Sequence, residues 1–124
     1  MLEEAAALCR AVFAAGGQRV DFVGEHYTLT QIPVHPVPVH GTIPIMIGGA
    51  GHQRTLRTVA RSADEWNAWG RPDTIAEHLE VLRGHCEAEG RSFDDLYLTS
   101  CTLEYHQYRE SKYVECLWYQ PPHS

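Results

Sequence analysis

The run Ile43-Pro44-Ile45-Met46-Ile47-Gly48-Gly49-Ala50-Gly51 constrains this chain more than any other stretch. A short apolar run reads as a strand buried on both faces, as in parallel sheets. It stops at a glycine cluster, where the backbone can turn sharply and a ligand can approach the bare main chain. Beyond it, residues 52–62 place Leu56, Val59 and Ala60, then Ala63, at helical spacing. Strand, glycine turn and helix start aim free backbone N–H groups at one point, which makes a cradle for phosphate or another anion.

Two common phosphate motifs do not fit. No Gly-Lys-Ser/Thr follows, so this is not a Walker loop. In Gly49-Ala50-Gly51-His52-Gln53-Arg54, Arg54 stands where a dinucleotide fingerprint needs its third glycine. The acids Asp64 and Glu65 precede the second strand, whereas a ribose-binding acid belongs at its far end. A small nicotinamide-binding domain is therefore a poor match. The plain competing reading is a tight turn that binds nothing.

Pro44-Ile45-Met46-Ile47-Gly48-Gly49-Ala50-Gly51-His52-Gln53-Arg54-Thr55-Leu56-Arg57, followed by Ala60-Arg61-Ser62-Ala63-Asp64-Glu65-Trp66-Asn67, resembles the luciferase-like monooxygenase family. Within that family it is most similar to the deazaflavin (coenzyme F-420)-dependent oxidoreductases. Flanking pieces fit in the same order. Phe22-Val23-Gly24-Glu25-His26-Tyr27 resembles the family's Phe-x-Gly-x-His-Tyr hairpin. Pro36-Val37-Pro38-Val39 with Pro44 resembles its proline-rich approach to the strand. Leu82-Arg83-Gly84-His85-Cys86-Glu87-Ala88-Glu89-Gly90-Arg91 resembles its last-helix segment. The likeness runs over residues 2–96.

The resemblance implies an α/β fold, the C-terminal part of a (β/α)8 barrel. A complete barrel takes about 250 residues, and this chain has 124. Residues 1–103 are expected to form that C-terminal part. Residues 104–124 form a divergent tail in which Tyr105, Tyr108, Tyr113, Trp118 and Tyr119 show no sustained period. Either the tail is a true end that packs aromatics on the barrel, or the gene is truncated or shifted in frame.

The remaining elements follow from local rules. Leu2, Ala5, Ala6, Cys9, Val12 and Phe13 share one helix face, and Gly16-Gly17 ends that helix. Val20-Asp21-Phe22 and His26-Tyr27-Thr28-Leu29 read as a hairpin around Gly24-Glu25. Residues 32–44 carry four prolines and read as extended connector. Residues 65–68 read as a second strand, and Pro72 sets a helix start. Thr74-Ile75-Ala76-Glu77 fits a capping box. That helix puts Ile75, Leu79, Leu82 and Cys86 on one face and stops at Gly90. Residues 96–103 read as a last strand.

Charge and composition narrow the partners. A net charge of −6 argues against nucleic acid, which calls for a basic face. No run of about 18 apolar residues suggests a membrane span. Glu3 and Glu4 stand where a signal peptide would be basic, so cytoplasm is the expected location. Cys9, Cys86, Cys101 and Cys116 have neither metal spacing nor a short disulfide framework, and Cys9 and Cys86 read as small buried hydrophobes. Among eight histidines, His35 with His40 and His78 with His85 lack the spacing of a zinc helix. No metal is expected, and these imidazoles are read as facing solvent.

In (β/α)8 enzymes the chemistry sits at the C-terminal ends of the strands. The resemblance places the cofactor's phosphate-bearing side chain against Gly48, Gly49, Ala50 and Gly51. Arg54 and Arg57, early in the helix, could add charge-assisted contacts or lie on a solvated face. The loop Asn67-Ala68-Trp69-Gly70 falls near the substrate and ring pocket: Asn67 as a hydrogen-bonding group, Trp69 as an apolar wall. Trp66 reads better as core, and Asp64 as an ion-pair partner of Arg57 or Arg61. No nucleophile or general base stands out, and His26 is the best titratable candidate. That is no contradiction where a cofactor carries the hydride.

The expected activity of the intact enzyme is hydride transfer between coenzyme F-420 and a small organic substrate. FMN as cofactor of a monooxygenase of the same fold is the near alternative, and a non-catalytic remnant or anion-binding module the distant one. The unpaired strand edges of a partial barrel predict self-association or pairing with the missing barrel half.

Overall fold

The computed structural model describes residues 1–108 and 111–119, with side chains through Cys101. The aromatic side chains expected to mark the 104–124 tail are not described, but the last strand, expected over 96–103, runs on over Tyr97–Tyr108 and a further strand, Ser111–Tyr119, follows it. The chain divides into two compact units, Met1–Ile45 and Met46–Ser124.

In the first unit, helix α1 (Leu2–Phe13) precedes an antiparallel hairpin of β1 (Val20–Val23) and β2 (Thr28–Ile32). After α1 the chain turns through Gly16 and Gly17, both at positive φ. Glu4 fastens the helix to the hairpin turn: its carboxylate accepts the N–H groups of His26 (2.9 Å) and Tyr27 (2.8 Å). Any side chain at Gly24 would overlap that carboxylate. Strand β2 begins two residues later than the alternating pattern suggested, because His26 and Tyr27 are spent on the turn and its Glu4 contact.

The second unit holds a four-stranded sheet in the order β3-β4-β5-β6. Strands β3 (Met46–Gly48), β4 (Glu65–Trp69) and β5 (Tyr97–Tyr108) are mutually parallel, and β6 (Ser111–Tyr119) is antiparallel to β5. Helix α2 (Thr55–Ser62) links β3 to β4. Helix α3 (Pro72–Ala88) and a 3-10 turn (Phe93–Asp95) link β4 to β5. Two successive βα units on a parallel sheet are the architecture expected of part of a (β/α)8 barrel, and no closed barrel is present among the described residues.

Burial follows the helical period. Leu56, Val59, Ala60 and Leu82 are fully buried, and Ala63, Trp66, Ala68 and Cys86 nearly so. Each large apolar side chain taken from water contributes about 1.5–3 kcal/mol. Along β4, Trp66 and Ala68 are buried while Glu65 and Asn67 are half-buried and Trp69 is exposed. This alternation gives the strand a core face and an opposite face.

Helix α3 starts at Pro72, so Thr74 lies inside its first turn and the expected Thr74–Glu77 capping box does not form. Proline needs no N–H partner at that position and presets φ, which moves the start two residues upstream. The end of α3 is a Schellman turn: Gly90, at φ +68°, donates to the Glu87 carbonyl, and Arg91 N–H to that of Cys86. Cys9 and Cys86 are free thiols, Cys86 buried and Cys9 half-buried. Cys101 is disulfide-bonded, which the cysteine spacing did not suggest.

Candidate functional site at the strand ends

Parallel register brings the strand ends together. Gly48 lies opposite Asn67, and Asn67 opposite Thr99, so one row crosses three strands. The row sits on the sheet face opposite Trp66 and Ala68. Asn67 Nδ2 donates to Thr99 Oγ1 (2.8 Å), and that hydroxyl donates to the Trp66 carbonyl (3.3 Å). Because the hydroxyl proton is used on Trp66, Asn67 meets Thr99 with its NH2 and keeps Oδ1 as an acceptor.

Past Gly48 the chain makes a tight turn. Gly49 has φ +120°, a region that favours glycine. Its N–H donates to the Asn67 carbonyl (3.0 Å), and its own carbonyl accepts Trp66 Nε1 (2.7 Å). A Cβ on Gly51 would stand 2.9 Å from Thr55 Oγ1, closer than real contacts allow. Residues 52–54 complete the turn, and α2 begins at Thr55, later than the apolar spacing indicated. Leu56 N–H closes the turn on the Gly51 carbonyl (3.0 Å).

The N–H groups of Ala50, Gly51, His52, Gln53 and Arg54 make no backbone hydrogen bond among the described residues. No side chain caps the N-terminus of α2. All five residues except half-buried Ala50 are exposed. These donors and the positive end of the helix are what an anion needs.

Other expected site residues divide. Arg54 is exposed at the start of α2. Arg57 instead pairs with Glu89 of α3 (3.3 Å), which Arg61 also reaches (2.8 Å). Trp69 ends β4 with 59% of its surface exposed. Trp66, 1% exposed, is core rather than pocket wall. His26 lies in the hairpin turn of the first unit.

Two features escaped the sequence reading. Thr99 fixes Asn67, which only the register reveals. His52 meets His78 and His85, so those two helix residues are engaged rather than simply solvent-facing. Among the described residues no group of three or more His, Cys, Asp or Glu is placed to hold a metal ion.

The chain is similar to known proteins over part of its length. Uncharacterized proteins of Mycobacterium tuberculosis and Mycobacterium bovis are 38% identical over 56 residues, 45% of this chain and 20% of theirs. The coenzyme F-420-dependent tetrahydromethanopterin reductase from Methanopyrus kandleri superposes with a TM-score of 0.65 at 18% identity, over 75% of this chain and 27% of that one. A riboflavin lyase solved with modified FMN and its substrate riboflavin gives 0.59 at 18% identity, over 77% and 25%. DmoA from Hyphomicrobium sulfonivorans gives 0.57 at 15% identity, over 77% and 24%. The chain thus matches only a minor part of each of these proteins' length. At such identity the structural likeness shows the fold. The family model for luciferase-like monooxygenases matches residues 1–106, and the chain belongs to that family.

Proposed function

We propose that this chain is the cofactor-phosphate part of a deazaflavin-dependent oxidoreductase, which moves a hydride between coenzyme F-420 and a small organic substrate. The observation that carries the reading is the run of exposed, unpartnered N–H groups at residues 50–54, set at the end of a parallel strand. Gly48, Gly49, Ala50 and Gly51 would hold the anionic side chain of the cofactor, with Arg54 adding charge. Glycine fits there physically: a Cβ at Gly51 would collide with Thr55, and the Gly49 backbone disfavours one.

When bound, the cofactor supplies the hydride chemistry. Asn67 would orient a donor on the ring or substrate through Oδ1, and Trp69 would wall off water. The same fold with FMN is the second reading, favoured by the riboflavin lyase likeness. A cytoplasmic location belongs to the proposal, and the Cys101 disulfide weighs against it, since reducing compartments disfavour such bonds. No helix among the described residues is long and apolar enough to cross a membrane.

Fluorescence titration of the folded chain with pure coenzyme F-420 and pure FMN tests the reading. Tighter binding of F-420 is expected. Tighter binding of FMN would transfer the assignment to a flavin monooxygenase. Binding of neither would leave a non-catalytic module.

A further inference from the structure

The row Gly48, Asn67, Thr99 carries, from β3 to β5, no side chain, a carboxamide and a hydroxyl. Thr99 Oγ1 accepts Asn67 Nδ2 at 2.8 Å. The nitrogen and oxygen of a carboxamide diverge from one carbon. Asn67 Oδ1 is therefore turned away from β5, to the side of Gly48. No protein donor reaches that oxygen among the described residues.

Gly48 has no local reason to be glycine. Its backbone is that of an ordinary strand residue, unlike Gly49 at φ +120°. A Cβ on Gly48 would find only the Asn67 carbonyl oxygen, at 3.9 Å, whereas one on Gly51 would strike Thr55. Glycine weakens a strand, and it marks places where a ligand or another backbone comes close. The demand for an empty place at 48 thus comes from something that lies over it. That place is exposed and stands beside an acceptor without a partner. It is also tied to the glycine turn. Gly49 N–H donates to the Asn67 carbonyl at 3.0 Å, and the free N–H groups begin at Ala50. Ala50 is two residues from Gly48, at most about 7 Å of chain.

We infer that the space over Gly48 receives a hydroxyl group of a polyol phosphate, which donates to Asn67 Oδ1, and that Thr99 is the positioning residue that keeps this oxygen turned toward it. This rests on the anion-site reading above and adds the class of chain that adjoins the anion. A carboxamide oxygen only accepts, so the group over Gly48 must donate. A hydroxyl on a carbon chain ending in phosphate meets that demand a few bonds from the anion. Without the Thr99 hydroxyl, the carboxamide turns either end to the space and the selection weakens.

Ribitol 5-phosphate and pentyl phosphate are the probes, because they share the anionic end and differ in the chain hydroxyls. Titration of the full chain, followed by backbone amide NMR shifts, gives both affinities. Ribitol 5-phosphate should bind about two- to tenfold tighter. Asn67→Ala should erase that preference. Thr99→Val should reduce it, and Thr99→Ser, which keeps the hydroxyl, should restore it. A merely structural threonine would weaken both phosphates alike. Gly48→Ala should leave the urea midpoint unchanged or slightly raised, yet weaken ribitol 5-phosphate about tenfold or more. Should Asn67→Ala or Thr99→Val fail to fold, the two probes on the unmodified chain and Gly48→Ala decide. Equal binding of the two phosphates overturns the inference and leaves the anion site standing, as does undiminished binding by Gly48→Ala. An unchanged preference in Thr99→Val overturns the role of Thr99. Absence of binding by either phosphate removes the anion-site reading and the inference with it.

Discussion

Trp66 Nε1 donates a 2.7 Å hydrogen bond to the carbonyl oxygen of Gly49, joining the buried core of the sheet to the turn that carries the free N–H groups. Gly49 is held on both sides, since its N–H meets the Asn67 carbonyl at 3.0 Å. The indole therefore acts as core filler and as the strut of the turn.

Trp66→Phe separates those roles. The lost hydrogen bond costs roughly 1 kcal/mol, and the partly refilled site adds about 1–2 kcal/mol. Urea unfolding should show the sum, and F-420 or FMN affinity should fall as the turn loosens. A change no larger than about 0.5 kcal/mol, typical of surface positions, would show that the indole bears no such load.

Gly51 and Thr55 should be energetically coupled. Gly51→Ala sets a Cβ 2.9 Å from Thr55 Oγ1 and is expected to cost about 1–3 kcal/mol by overpacking. In a Thr55→Ala background most of that cost should vanish, giving a coupling near 1 kcal/mol in a double-mutant cycle. Gly49→Ala is the control. Its penalty, also about 1–3 kcal/mol, is backbone strain and should persist without the threonine.

What the sequence revealed here was mostly local. Helical spacing identified Leu56, Val59, Ala60 and Ala63, all buried as expected. The glycine cluster marked a strand end, although β3 is only Met46–Gly48 and Ile43 stays exposed. The Thr74 cap failed because a stronger local signal, Pro72, lay just upstream. What escaped was long-range. Nothing near Arg57 names Glu89 as its partner, and nothing near His78 names His52. Those pairs exist because α2 and α3 lie side by side, which periodicity alone does not encode.

Glu89 predicts an acid limb of stability. The Arg61 hydrogen bond holds its carboxyl below the usual range, burial opposes this, and Arg57 adds to the lowering. A carboxyl lowered on folding contributes above its unfolded value, 4.5 in ordinary peptides, and loses that contribution as pH falls through the folded value. Glu89→Gln should thus lower the urea midpoint at neutral pH. The gap to the unmodified chain should close on acidification well below pH 4.5. A gap that stays constant with pH would assign the loss to packing.

Strand β3 is bonded to β4 on one side only among the described strands. Met46 is exposed beside that open edge. Unpaired edges recruit further strands, so light scattering should show self-association rising with concentration. Met46→Lys should reduce it, because charge on an edge discourages pairing. A concentration-independent monomer would mean the edge is covered by the chain's own residues.

Arg91 closes α2 from the neighbouring helix end. Its Nη1 donates to the carbonyls of Ala60 (3.2 Å) and Ala63 (2.6 Å), groups that a helix end leaves without intrahelical partners. The Schellman turn at Gly90 aims it there. Arg91→Ala should cost about 1–3 kcal/mol, the range for hydrogen bonds from a charged donor. Arg91→Lys should recover only part, since an ammonium offers a point charge in place of the rigid guanidinium. Gly90→Ala should cost about 1 kcal/mol through its left-handed backbone. Hydrogen exchange locates the damage: Ala63 N–H, bonded to the Val59 carbonyl at 3.0 Å, should lose protection in Arg91→Ala ahead of amides in α1. Uniform loss across the chain would instead make Arg91 a support of global stability, with no particular hold on the end of α2.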